Sequence, residues 1–221
     1  MTLVLFVIAA REHAVPAGLA GLDDRPLHAV VRGDLAALVG ECATPPAPTR
    51  ASLVRFEQTV EELMGGGTVL PARFGTILPD ETAVEQLLCS RHDELAGALA
   101  LVDGAVELGV RAAWSEEEAA ASRPSGPSAG AEYLLGRLEL RRRARQIAAE
   151  IDAAVHDLAR QSSRRILSRP ESPVSAAYLV PRPRVAEFLT RCQSLKETLA
   201  GADLVCTGPW PPYNFVTPAQ T

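Results

Sequence analysis

Lysine is almost missing from this chain: of 22 basic residues only Lys196 is a lysine, which leaves 21 arginines. The arginines are dispersed and accompany an excess of alanine, so the bias belongs to the whole composition and not to one site. Aromatic residues make up only 5%, few for a sheet that stacks bases on its surface. Acids outnumber bases, and the net charge of −5 with a pI near 5.5 excludes a wholly basic nucleic-acid binder. The four cysteines, Cys42, Cys89, Cys192 and Cys206, form no CxxC pair and suggest no disulfide framework; thiols in a reducing cytoplasm are expected. No apolar run approaches the roughly 20 residues of a membrane span. The apolar opening, Thr2 to Ala10, is followed and not preceded by its first charges, Arg11 and Glu12, the reverse of a signal peptide. It reads as a strand buried on both faces, and the chain as cytoplasmic.

Motifs of catalysis are missing too. There is no GxGxxG, no GxSxG elbow and no lysine-bearing phosphate loop. Gly65-Gly66-Gly67 precedes a strand, so it ends a helix and does not cradle a phosphate. Nothing in the spacing assembles serine, histidine and aspartate. Cys89 and His92 stand three apart on a predicted helix, but a closed zinc site needs two further ligands; a hydrogen-bonded histidine is the simpler reading. No catalytic residue, metal or cofactor is expected.

What is present is enough for a folded core. The 221 residues are 47% hydrophobic and 22% charged, ordinary values for a globular chain. The first part reads as a strand, a hairpin turning at Gly33-Asp34, a helix with Leu53, Phe56, Val60 and Leu63 on one face, and a strand at residues 68–70. A helix capped by Asp80 or Thr82 and striped with Val84, Leu88, Leu95 and Leu99 runs to Gly104. A strand over 105–114 follows, then a Ser/Pro/Gly-rich segment within 115–130 that is the best candidate for a mobile loop. Residues 131–167 form the longest helical pattern, with Ala144, Ile147, Ala148, Ile151, Val155 and Leu158 on its core side. A strand over 174–180, a helix with Val185, Phe188, Leu189, Cys192, Leu195 and Leu199 on one face, and a short strand at 204–206 complete the order. The predicted class is α+β, two domains of antiparallel sheet with helices on one face, at residues 1–78 and 79–221; the second resembles a split βαβ arrangement.

Three features carry chemistry. Arg137, Arg141, Arg142, Arg143, Arg145, Arg160, Arg164 and Arg165 make a strip over helix 137–165. A solvated face explains it most simply, an acidic protein partner or RNA less so. The second feature is Pro71-Ala72-Arg73-Phe74-Gly75-Thr76, where a strand leaves through proline, exposes Arg73 and Phe74, and turns at Gly75. The third is Gly208-Pro209-Trp210-Pro211-Pro212-Tyr213-Asn214-Phe215, dense in prolines that stiffen the backbone and in aromatics that carry large apolar area. Such a segment either clamps onto its own domain or presents a rigid aromatic surface to a partner.

These last two segments resemble the P-x-R-F-G-T and GPWPPY-x-F motifs of the gas vesicle protein F/L family, and Tyr133-Leu134-Leu135 and Ala176-Ala177-Tyr178-Leu179-Val180 fit the family's long helix and following strand. The resemblance spans nearly the whole chain. It implies two α+β domains, at least one a modified ferredoxin-like fold. It implies a non-enzymatic accessory role in gas vesicle formation and contact with the small hydrophobic shell protein and other accessory proteins. It also implies a place in the cytoplasm during assembly and, for some members, at the gas-facing side of the vesicle. No nucleic acid and no membrane are implied as partners. Pro71, Arg73, Phe74, Gly75, Gly208, Pro209, Trp210, Pro211, Pro212, Tyr213 and Phe215 are then the residues expected to bind the partner or to hold the fold. The alternative is a ferredoxin-like RNA-binding module using the arginine-rich helix 137–165.

Overall fold

The structure, a computed structural model, describes residues 2–114, 129–166, 174–199 and 202–216. The segment expected to be a mobile loop lies outside the described residues up to 128. Contacts divide the chain into two compact units, Met1–Ala105 with Trp210–Thr221, and Val106–Pro209.

In the first unit β1 (Thr2–Ala10), β2 (Leu27–Arg32), β3 (Leu35–Cys42) and β4 (Val69–Pro71) form an antiparallel sheet in the order β2-β3-β1-β4, and β5 (Ile77–Leu78) also pairs with β1. The hairpin turns where expected, with Gly33 at φ 62°, a conformation that costs glycine nothing. Leu3 through Ala9 are all buried, so β1 is covered on both faces as its unbroken apolar run requires. Helix α1 (Arg50–Gly65) supplies one cover: Phe56, Val60 and Leu63 are fully buried, and the Phe56 ring stacks on Phe6 at 4.9 Å. Its N-terminus is closed by a reciprocal bond pair between Thr49 and Ser52. Helices α2 (Glu81–Ser90) and α3 (His92–Val102) pack on the sheet through Val84, Leu88, Leu95 and Val102.

The single helix expected over this stretch breaks at Arg91. Asp93 and Glu94 then occupy a first turn, where the helix dipole favours acids, and Arg91 grips the Glu94 carboxylate with two nitrogens at 2.8 and 2.6 Å. Helices α2 and α3 bury their apolar stripes against strands of the first sheet, and the contact boundary falls after residue 105.

In the second unit β6 (Ala105–Trp114), α4 (Ala129–Val155), β7 (Gln161–Ile166), β8 (Val174–Pro181), α5 (Val185–Thr198) and β9 (Ala202–Trp210) form a split βαβ unit with sheet order β7-β8-β6-β9. This is the strand permutation of the first unit as well, where a loop with one short 3-10 turn replaces the first crossover helix. The core runs from Leu108 and Val110 through the expected α4 stripe to Tyr178, Phe188 and Cys192.

The long helix is shorter than residues 131–167. It ends at Val155, a 3-10 turn covers His156–Leu158, and Gln161–Ile166 pairs antiparallel with β8. The apolar stripe stops at Leu158, and Ser162 and Ser163 are weak helix formers. On an edge strand the backbone ladder alone suffices, so β7 carries polar residues on both faces and shows no alternation to read. Strand β9 runs on to Trp210, past Pro209; proline is tolerated there because β9 is the opposite edge.

Candidate functional site

The arginine strip does not survive as one surface. Arg160, Arg164 and Arg165 leave the helix, the last two on β7. Arg164 pairs with Asp152 at 3.0 Å, while Arg141, Arg142 and Arg145 are exposed on α4. His92 is hydrogen-bonded through both ring nitrogens: its Nε2 meets Asp34 Oδ1 at 2.6 Å and its Nδ1 meets Asp93 Oδ1 at 3.1 Å. Among the described residues no cluster of three or more potential metal ligands occurs, and no helix is long and apolar enough to cross a membrane.

The two motif segments meet on the first unit. Pro71 ends β4 and is buried. The chain then leaves the sheet and returns as β5, both strands pairing with β1. The excursion is pinned at each end, by the Ala72 amide donating to the Phe6 carbonyl at 2.8 Å and the Leu5 amide donating to the Thr76 carbonyl at 3.0 Å. These bonds flank the register shift of β1 between Leu5 and Val7. Thr76 is buried, and its hydroxyl donates to the Arg73 carbonyl at 2.8 Å. Gly75 sits at φ 83°, so the turn is closed to ordinary side chains. Phe74 turns inward and meets the edge of Phe56 at 5.5 Å with the ring planes at 84°. Arg73 points to solvent.

The second segment behaves alike. Gly208 and Pro209 are exposed, and Trp210 remains 42% exposed. Pro211 and Pro212 are buried. The Tyr213 and Phe215 amides donate back to the Pro211 and Pro212 carbonyls at 2.8 and 3.1 Å, making a 3-10 turn over Tyr213–Phe215. Tyr213 packs against the α1 core cluster that also takes Phe74, and its hydroxyl donates to the Glu57 carboxylate at 3.3 Å. Burial holds the Glu57 carboxyl above its ordinary value; the Tyr213 hydrogen bond opposes this, and Glu61 adds to it.

Two segments far apart in sequence therefore converge on α1, each with one aromatic turned inward and one large side chain left outside. Phe74 and Tyr213 pack on the core of the first unit, whereas Arg73 and Trp210 are exposed. Glu57 escaped the sequence reading, because an acid beside a core phenylalanine on a helix carries no local signal. A groove of about 530 Å³ beside Asp24, Pro45 and Arg55 includes none of the motif residues.

The chain is similar to known proteins over almost its whole length. The family model described as gas vesicle synthesis protein GvpL/GvpF matches residues 4–217. Gas vesicle protein F of Streptomyces sp. (strain CB03234) is 28% identical, over 98% of this chain and 100% of its own length. Gas vesicle protein L of the same strain is 30% identical, over 95% and 90%. The crystal structure of GvpF from Anabaena sp. PCC7120 superposes with a TM-score of 0.85 at 22% identity, over 99% of this chain and 97% of that one. GvpF from Microcystis aeruginosa gives 0.83 at 20%, over 98% and 99%. These likenesses lend no support to an RNA-binding module. By its motifs, its two sheets and its match over almost its whole length, this chain belongs to the GvpL/GvpF family of gas vesicle accessory proteins.

Proposed function

We propose that the chain is a non-enzymatic assembly factor that binds the small hydrophobic shell protein of the gas vesicle before it polymerises, with Trp210 as its main anchor and Arg73 as a second contact. The observation that carries this reading is the exposure of Trp210 between a strand end and two buried prolines. A large indole held outside by a stiff backbone loses little entropy on binding, and such residues dominate interface energies. A shell built from an apolar subunit needs that subunit covered until it is placed, and a rigid aromatic contact meets the need without chemistry. Partnership with the other accessory proteins, and a place on the gas-facing side of the vesicle, follow from the same reading.

The test is co-purification with the shell protein of the wild type, Trp210→Ala and Arg73→Ala. Trp210→Ala is expected to keep the melting temperature within a few degrees while weakening retention by about 30-fold, the size of an interface hot spot. Unchanged retention by a folded Trp210→Ala protein would remove this anchor.

A further inference from the structure

Strand β9 is an edge of the second sheet, and among the described residues β6 is the one strand beside it. Its outer backbone groups from Ala202 to Thr207 therefore face no partner strand. The strand carries no lysine, and its one proline, Pro209, comes near its end, so little guards this edge. A groove of about 340 Å³ lies between the edge and α5, walled by Leu189, Leu204, Val205 and Cys206. Leu189 is 40% and Val205 53% exposed, so two large aliphatic side chains face water at one place. Lys196, the only lysine in the chain, is exposed and lines the same groove. No carboxylate lines it among the described residues. The acid nearest in sequence on β9, Asp203, alternates to the strand face opposite Leu204.

We propose that this groove binds the C-terminal tail of a partner protein as an added antiparallel strand. The tail's backbone bonds to the outer edge of β9, an aliphatic side chain fills the space between Leu189 and Val205, and the terminal carboxylate pairs with the Lys196 ammonium. The site goes beyond the binding of the shell protein proposed above and does not depend on it.

The direction of the tail follows from the fold. Three residues separate the end of α5 at Thr198 from the start of β9 at Ala202, so β9 turns back beneath the helix. Lys196, in the last turn of α5, then lies over the first residues of β9, and Leu189 lies seven residues back, about 10 Å along the helix axis. A strand added antiparallel to β9 ends where β9 begins, so its C-terminus reaches Lys196. A parallel strand brings an N-terminal ammonium there, against a like charge. Ten ångströms is about three residues of strand, and alternate side chains share a face, so the aliphatic residue that meets Leu189 stands about two places before the terminus.

The full chain is titrated with the fluorescein-labelled pentapeptide Ala-Thr-Val-Thr-Val bearing a C-terminal carboxylate, and with the same peptide as its C-terminal amide, with anisotropy as the readout. Saturable binding of the carboxylate form is expected, with the amide form about tenfold weaker. Lys196→Gln is expected to weaken the carboxylate form about tenfold and leave the amide form unchanged, so that the two bind alike. Val205→Lys, at an exposed position, is expected to keep the melting temperature within a few degrees and to lose both. Wild-type protein that shows no saturable binding up to about 1 mM, the weak end of specific recognition, would overturn the proposal. Equal binding of the two peptides by the wild type would also overturn it, as would unchanged binding by folded Val205→Lys. So would a wild-type dimer in sedimentation that Val205→Lys makes monomeric, since the edge would then be taken by a second copy.

Discussion

Tyr213 and Trp210 show how one motif divides its residues between the core and the surface. The Tyr213 hydroxyl meets Glu57 at 3.3 Å at a half-exposed site. Tyr213→Phe is therefore expected to cost about 0.5–1 kcal/mol by chemical denaturation, the lower range for a hydrogen bond, and to leave retention of the shell protein intact. A buried counterpart lies in the second unit. The Tyr178 hydroxyl is fully buried without a hydrogen-bond partner among the described residues, and burial first, then the nearby Asp152, raises its pKa. Tyr178→Phe removes an unpaired polar group and is expected to raise the melting temperature or leave it unchanged. The ion pair of His92 with Asp34 is legible through pH. Folding raises the His92 pKa above its ordinary 6.5, through the hydrogen bond to Asp34 and then that to Asp93. Its contribution is complete below that value and is lost as the pH rises through the folded one. Asp34 is lowered from 3.8 by the bond to His92, so its contribution is complete above that value and is lost as the pH falls through the folded one. The destabilisation by His92→Ala is expected to be largest near about pH 5 and smaller at about pH 8, measured by thermal melts across the range. Sequence alone marked Phe74 and Tyr213 as notable but left open whether they face the core or a partner, since an aromatic in a proline-rich segment suits both.

At the scale of elements, the loop between β4 and β5 is the most constrained part of the first unit. Both ends are bonded to β1, and Gly75 holds a left-handed turn between them. Gly75→Val is expected to destabilise by about 2 kcal/mol or more, since the left-handed region costs ordinary residues 1–2 kcal/mol and β-branched ones more. Denaturant titration with an unchanged slope would check it. Elements of this kind are readable where one face is apolar: the hairpin at Gly33, the α1 face of Phe56, Val60 and Leu63, and the α4 stripe from Ala144 to Leu158 lie where periodicity places them, whereas Leu53, one turn nearer the start of α1, is exposed. Reading failed where tertiary pairing decides. Strand β7 has no buried face, so nothing in the pattern of Arg164 and Arg165 separates it from the preceding helix. The break at Arg91 hides because the spacing of Leu88 and Leu95 suits one helix as well as two.

The whole molecule is discontinuous in a way that local patterning does not report. The first unit is completed by residues from Trp210 onward, after the chain has built the second unit. Removal of residues 210–221 is accordingly expected to lower hydrogen-exchange protection in α1, where Tyr213 packs, and to spare α4 and β8, although the deleted segment follows the second unit in sequence. The repeated strand order of the two units was foreshadowed only as a likeness of architecture, because the first unit lacks the crossover helix that would reveal it. Fold and motif together give a scaffold with two anchored segments and one aromatic left outside. The most direct measurement is co-expression of the chain with the major shell protein in one cell, followed by purification of the chain beside an unrelated soluble control. Specific retention of the shell protein is predicted; a folded chain that retains no more of it than the control would contradict the account.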